Sequence, residues 1–463
     1  MGNMVEYVKE MEEGNTMLFE LSKIIKSIQY DTLPELPIEK AKNIILNYLG
    51  TGLAAAESPI TKAEHSVWKA LNSSGDCVIL GHSGRVSSLA AASVNALMGQ
   101  TFLLEDCHEH TLSHPGVLAV PVALALGQSN NVSGKKVIEA VIAAYESMGR
   151  IGSVLIAPGF PNFGLRPAST LAPFGGAATA AIILGLDTEG ICAALSIAGN
   201  VSSGVMEFVN SGTEDICIQN CFAAKNSVMA AMLAEKGVTG SPSLLDGQFG
   251  LGRAMNQKHL DWSPALKEHP GHYMIDESFI KRFPGCGHVL PTAQASASLV
   301  ANNQINPEDV AKVTVGVSQR AKDFPGTDNP GPYYGMISAM MSHQFMVAST
   351  LVHGEASVET IKIFSDPDIA DIAGRISVEL NEDIDKAFPQ KTGACLEVKM
   401  KDGRVLRDYQ EDLNHMRRDE IIDRFMLNAV KYMPESRAGE IVDKVLNLES
   451  LDSINDLMDL MET

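Results

Sequence analysis

Between Met17 and about Leu266, apolar residues recur at helical spacing in Ala-rich segments broken by Gly, Pro and Asn. IEKAKNIILNYLGTGLAAA, SSLAAASVNALMGQTFLL, KKVIEAVIAAYESMGRIG, GGAATAAIILGL and NSVMAAMLAEKG each predict a helix. Two stretches, 116–127 and 175–186, are apolar around most of their circumference, which assigns them to the interior of a large bundle. Both fall short of the roughly 18 to 20 residues that span a bilayer. After Lys281 the texture changes: DVAKVTVGVSQ, ASVETIKIF, RISVELN and ACLEVKMKDGRVLRDYQ are rich in β-branched residues and turn signals. In the last, KDG between two alternating runs marks a hairpin. Helical spacing returns beyond about Asp412. The expectation is a mainly α protein, a large all-helical domain with an inserted α/β lid. Its first part would cover residues 1–268, the lid 269–411, and the C-terminal helices 412–463 would return to the helical domain.

Composition narrows the function classes. Hydrophobic residues make up 45% of the chain, enough for a large core. The formal charge of −20, with no long basic stretch, disfavours nucleic acid and acidic membrane surfaces as partners. A few cations gathered in one concave site could still hold an anionic substrate. Seven scattered cysteines form neither an even framework nor a CxxC pair, which fits a reducing compartment. The opening MGNMVEYVKEMEEG lacks an apolar signal core, and Glu6 breaks the myristoylation pattern after Gly2, so a cytoplasmic protein is expected.

Three segments could carry chemistry. LLEDCHEHTLSHPG (103–116) sets Glu105, Asp106, His108, Glu109, His110 and His114 between two apolar helical runs. Groups of this kind need partners or a function; the plain alternative is a solvated interhelical loop with capping residues. The HEH…H spacing would admit a metal, but no distant ligand cluster completes the set, and none is expected. KRFPGCGHVLPTAQA (281–295) lies at the border of the two textures, where ligand sites tend to form. On its own, Lys281 reads as a surface cation, His288 as a helix cap and Cys286 as an inert thiol. In FGLRPASTLAPFGGAATAA, Arg166 precedes a small-residue helix beginning near Thr170, a combination suited to a carboxylate; otherwise Arg166 is a surface ion pair. No GxxxxGK[ST] loop occurs, and no GxGxxG follows a strand, so nucleotide chemistry is not expected.

Taken in order, ILNYLGTGLAAAESP, VILGHSGRVSSLAAASVNALMGQTFLLEDCHEH with HPG, RPASTLAPFGGAATAAIILGLD, KRFPGCGHVLPTAQA and the VKMKDGR hairpin resemble the MmgE/PrpD family across nearly the whole chain. That family includes 2-methylcitrate dehydratase, cis-aconitate decarboxylase and iminodisuccinate epimerase. The resemblance implies a helical domain with an α/β lid, a cleft between them, a homodimer, and no metal or organic cofactor. Asp106, His108 and His114 match the family's acidic run and its HPS segment, and Lys281 and His288 open and close its lysine motif. Other positions depart from the pattern. Leu103 stands where the acidic run begins with Asp, and Arg166 replaces the histidine of a His-Pro pair. Ile216, Cys217 and Gln219 replace a basic, imidazole-bearing segment.

The function implied is a lyase, removing water or carbon dioxide from a small di- or tricarboxylic acid by proton transfer next to a carboxylate. Enolate charge must be stabilised by a cation, and a positioned base must handle the proton. Lys281 and Arg166 suit the cation role; His108 and His114, oriented by Asp106, suit base and acid. Lys281 is an alternative base if lid closure desolvates it. Asp106, His108, His114 and Lys281 are thus the expected catalytic residues, with Arg166 and His288 binding substrate. The alternatives are an epimerase using the same proton transfer, a non-catalytic ligand-binding paralogue, and a metal-dependent hydrolase.

Overall fold

A computed structural model describes residues 16–108, 110–156, 164–267 and 269–463. The opening acidic segment and Glu109 lie outside the described residues. Thirteen helices of ten or more residues organise that part of the chain. They are α1 (Met17–Lys26), α2 (Glu35–Ala55), α3 (Pro59–Ala70), α4 (Ser88–Gln100), α5 (Gly116–Asn130), α6 (Gly134–Leu155), α7 (Pro167–Ile183), α8 (Thr188–Gly199), α9 (Asp215–Glu235), α10 (Leu290–Asn302), α11 (His343–His353), α12 (Arg418–Ala429) and α13 (Glu435–Leu446). Their starts follow local chemistry: Ser87, Ser133, Asp187 and Ser342 each accept a backbone N–H of the first turn. The two stretches apolar on all sides became α5 and most of α7, both buried along nearly their whole length. The fold is mainly α with a small α/β part, as the periodicity predicts. Among the described residues, no helix is long and apolar enough to cross a membrane.

Two large apolar cores divide the interior. The first joins α1 to α8 with the C-terminal helices, from Met17 and Leu18 to Leu457 and Met461. Helices α12 and α13 pack on α2, which brings the end of the chain back to its beginning. The second core lies beneath a four-stranded sheet and gathers Val289, Val313, Val315, Phe345 and Val398. That sheet has the order β6–β5–β7–β8, built from β5 (Val310–Val317), β6 (Ile376–Leu380), β7 (Ala394–Met400) and β8 (Val405–Gln410). Strands β5 and β6 run parallel and the remaining pairs antiparallel. The KDG hairpin forms between β7 and β8, with Gly403 at φ +92° where a side chain would be strained.

The structure differs from the sequence expectation in three places. ASVETIKIF is not a strand: Ser357 and Thr360 form a reciprocal cap, and Val358–Lys362 is a short helix. Helix α7 begins at Pro167 rather than near Thr170, because proline's fixed φ suits the first helical position and Arg166 is left as the cap residue. The 103–116 segment is not a solvated loop. Its centre, β3 (Asp106–His108), pairs antiparallel with β4 (Ser278–Ile280). A further small pair, β1 (Cys77–Val78) and β2 (Arg85–Val86), precedes α4.

Candidate active site

The β3–β4 ladder sets the geometry of the site. Its register, Asp106 opposite Ile280, places Glu105 opposite Lys281, whose N–H donates to the Glu105 carbonyl at 3.3 Å. Residues directly opposite on one face of a ladder bring their side chains together. Lys281 Nζ accordingly donates to Glu105 Oε1, and both side chains are sealed from solvent, at 1% and 2% exposure. The surface-cation reading of Lys281 is therefore incorrect. An ammonium buried this deeply requires a partner, and Glu105 provides it.

His114 approaches the same oxygen from the loop before α5. Its Nδ1 lies 3.5 Å from Glu105 Oε1 and 2.8 Å from the carbonyl oxygen of Asp106. A carbonyl can only accept, so Nδ1 carries the hydrogen and the neutral ring presents its lone pair at Nε2. Burial, together with the charges of Lys281 and Arg166, holds the imidazole well below its ordinary pKa. It is a neutral base beside a buried ammonium.

Arg166 completes the group of cations. It is buried rather than on the surface; burial lowers its pKa to about 10, against the opposing pull of Glu105. Its Nη1 donates to Ser169 Oγ at 3.0 Å, Ser169 donates to Gln219 Oε1, and Gln219 Nε2 donates to the Val205 carbonyl at 2.8 Å. Gln219 thus helps to fix the arginine. Gly204 permits this approach, since a Cβ there would sit 2.5 Å from Ser169 Cβ.

The remaining predicted residues are placed differently. Side chains alternate along a strand, so Asp106 and His108 project from the face of β3 opposite Glu105. The Asp106 carboxylate accepts the Tyr145 hydroxyl at 2.6 Å and the Gly116 N–H at 3.2 Å, and burial raises its pKa to about 6 in spite of those bonds. It anchors the start of α5 and orients His114 through its backbone carbonyl, not through its carboxylate. His108 Nδ1 pairs with Thr111 Oγ1 at 3.0 Å, and its Nε2 lies 3.5 Å from Glu277 Oε2. Imidazole His110 reaches the same Glu277 oxygen at 3.7 Å. Among the described residues, no group of three or more His, Cys, Asp or Glu is arranged to hold a metal ion. His288 packs against Phe324 with ring centres 4.5 Å apart; burial and the charges of Arg320 and His343 push it down to about 3. Its charged neighbours are those of the second core rather than Glu105 and Lys281.

Sequence reasoning named Glu105 within the polar cluster but gave it no role. It also missed Gln100, whose Nε2 donates to Glu105 Oε1 at 3.3 Å while its Oε1 accepts from Asn220 Nδ2 at 2.6 Å. The role of Glu105 follows from the register between two distant strands, and that of Gln100 from the packing of its helix end against Glu105 and Asn220. Burial raises the thiol pKa of Cys286, which keeps it protonated, and all seven cysteines are free.

With this geometry in place, the comparisons with known proteins have a structural counterpart. Residues 20–263 match the MmgE/PrpD N-terminal domain and residues 283–449 the MmgE/PrpD C-terminal domain. The chain belongs to the MmgE/PrpD family. It is similar to the cis-aconitate decarboxylase of Aspergillus terreus, 24% identical over 455 residues that cover 93% of each chain. Similarity to the human cis-aconitate decarboxylase is also 24%, over 463 residues, 95% of this chain and 93% of the relative. A cis-aconitate decarboxylase-like protein, oryM, of Aspergillus oryzae is 21% identical over 476 residues, 97% of this chain and 98% of the relative. Leu103, Ile216 and Cys217 all belong to the second apolar core.

Proposed function

We propose that the protein is a cofactor-independent lyase that removes carbon dioxide or water from a small di- or tricarboxylic acid. The observation that carries this reading is that the Lys281 ammonium and the neutral His114 ring both approach one oxygen of Glu105, His114 through its protonated Nδ1, which leaves the basic Nε2 unprotonated in the same cluster. Full-length similarity to proteins named cis-aconitate decarboxylase supports it.

Arg166 holds a substrate carboxylate with its guanidinium fork. In loss of carbon dioxide, the carbon–carbon bond to the departing carboxylate breaks and its electron pair enters the adjoining carbon framework. A proton from Lys281 Nζ then closes that carbon. In loss of water, His114 Nε2 takes the proton from carbon, the electron pair forms the double bond, and hydroxide leaves with the proton of Lys281. Both routes develop negative charge beside a carboxylate, where Arg166 and Lys281 stabilise it. Side chains of the protein supply every acid, base and cation in these steps.

The test is turnover of 2-methylcitrate, citrate, cis-aconitate and related acids followed by NMR in deuterated water. Formation of an alkene or of a decarboxylated acid supports the lyase. Deuterium entering an unreacted or epimerised substrate without such a product assigns the same proton transfer to an epimerase instead. Binding without exchange or product leaves a non-catalytic protein.

A further inference from the structure

The two oxygens of Glu105 are treated unequally. Oε1 takes the Lys281 ammonium and the Gln100 amide, whereas Oε2, equally buried, has no hydrogen-bond partner among the described residues. A buried carboxylate oxygen left without a donor loses its hydration and gains nothing in return. The oxygen belongs to the same carboxylate that joins Lys281 to His114, so a donor seated on it is at the reacting groups.

Charge points the same way. Glu105 neutralises Lys281, and His114 is held neutral, which leaves Arg166 as the cation of this cluster available to a substrate carboxylate.

We infer that Glu105 is a specificity-determining residue whose Oε2 accepts a hydrogen bond from the substrate, which is a hydroxy- or amino-substituted carboxylic acid. The inference rests on the acid-processing reading above and narrows its substrate class. The donor seated on Oε2 is a hydroxyl or an ammonium group. A site built to receive such a donor discriminates strongly against the analogue that lacks it, because the acceptor is then buried unpaired.

Calorimetric titration of the wild-type protein with malate, aspartate and succinate tests this directly. Malate or aspartate is expected to bind about tenfold or more tightly than succinate, as for a hydrogen bond to a charged group. The malate and aspartate arms separate hydroxyl from ammonium. Glu105→Gln, with folding checked by circular dichroism, should abolish the advantage of the donor-bearing ligand, since an amide N–H then faces it. Equal affinity for succinate and both substituted acids overturns the inference. So does no binding by any of the three. Because the wild-type ranking needs neither turnover nor a variant, it is independent of the lyase reading. A protein that ranks the ligands as expected but releases neither water nor carbon dioxide loses only that reading. A decarboxylase with a flat ranking loses only this one.

Discussion

Lys281, beside the β3–β4 ladder, and His114, in the loop that precedes α5, converge on a single atom, Glu105 Oε1. The ammonium and the neutral imidazole therefore share one carboxylate neighbour. Changing any of the three alters the environment of the other two, and this coupling makes their roles separable by experiment.

Removing the ammonium should cost both stability and turnover. Lys281→Met leaves the Glu105 carboxylate buried without its cation, for which about 3 to 5 kcal/mol of destabilisation is expected in urea unfolding. The double variant Lys281→Met with Glu105→Gln removes both charges and should recover most of that loss. It should not recover activity. Recovery of turnover in the double variant would exclude Lys281 as the proton donor.

His114 should matter for chemistry far more than for folding. Its ring makes one hydrogen bond, to a backbone carbonyl, and lies at the edge of the buried region. His114→Gln is expected to lower turnover by about 10²- to 10⁴-fold, the usual range for a general base, with little change in melting temperature. Since the imidazole titrates well below its ordinary value of 6.5, the acidic limb of the wild-type pH–rate profile attributable to it should fall below that pH. A limb centred at 6.5 would contradict the assignment of His114 as the base.

Asp106 makes stability depend on pH with a definite sign. Its carboxyl has a pKa of about 6 when folded against an ordinary value of 3.8, so the folded protein binds that proton more tightly than the unfolded chain. This contribution is fully present below 3.8, and as pH rises through about 6 up to about 3 kcal/mol is lost. Asp106→Asn should flatten the wild-type dependence across that window, measured as unfolding free energy against pH. Gly116→Ala tests the same contact sterically, because its Cβ would lie 2.2 Å from Asp106 Oδ1. Destabilisation of about 1 to 3 kcal/mol is expected for that overpacking.

Arg424 on α12 should position the site without touching it. Its Nη2 donates to the Arg282 carbonyl at 2.8 Å, beside Lys281, and its Nη1 donates to Asn47 Oδ1 at 2.9 Å. Asn47 Nδ2 in turn donates to the Leu104 carbonyl at 3.1 Å, beside Glu105. One guanidinium thus ties both sides of the Lys281–Glu105 pair to the C-terminal helices. Arg424→Met should reduce kcat with a smaller effect on KM, and Arg424→Lys should restore little because a single ammonium cannot reproduce the fork. An Arg424→Met variant with unchanged kcat would rule out this role.

Much of this architecture was legible in the chain. Helical periodicity marked α5 and α7 as interior helices, and KDG marked the β7–β8 hairpin. His114 and Lys281 stood out by residue type and by the MmgE/PrpD-like order of their motifs, and the structure brings them to one atom. The roles of Asp106 and His108 were less accessible, because compositional density in 103–116 does not reveal that its centre is a strand. Alternation then sends those two side chains away from Lys281 and turns Glu105 toward it.

The sequence by itself determined what is local: where helices start and stop, which are apolar on all sides, and which segments alternate. Those properties follow from the chemistry of a few neighbouring residues, which read the same way before and after folding. Only the tertiary structure decided the site. Glu105 acquires its partner through the register of β3 with β4, and Arg166 its fixed position through Ser169 and Gln219. Leu103, Ile216 and Cys217 join one apolar core with residues far from them in the chain. Each of these depends on segments far apart in the chain, and on burial, which makes an ion pair or an unpaired oxygen consequential once water is gone.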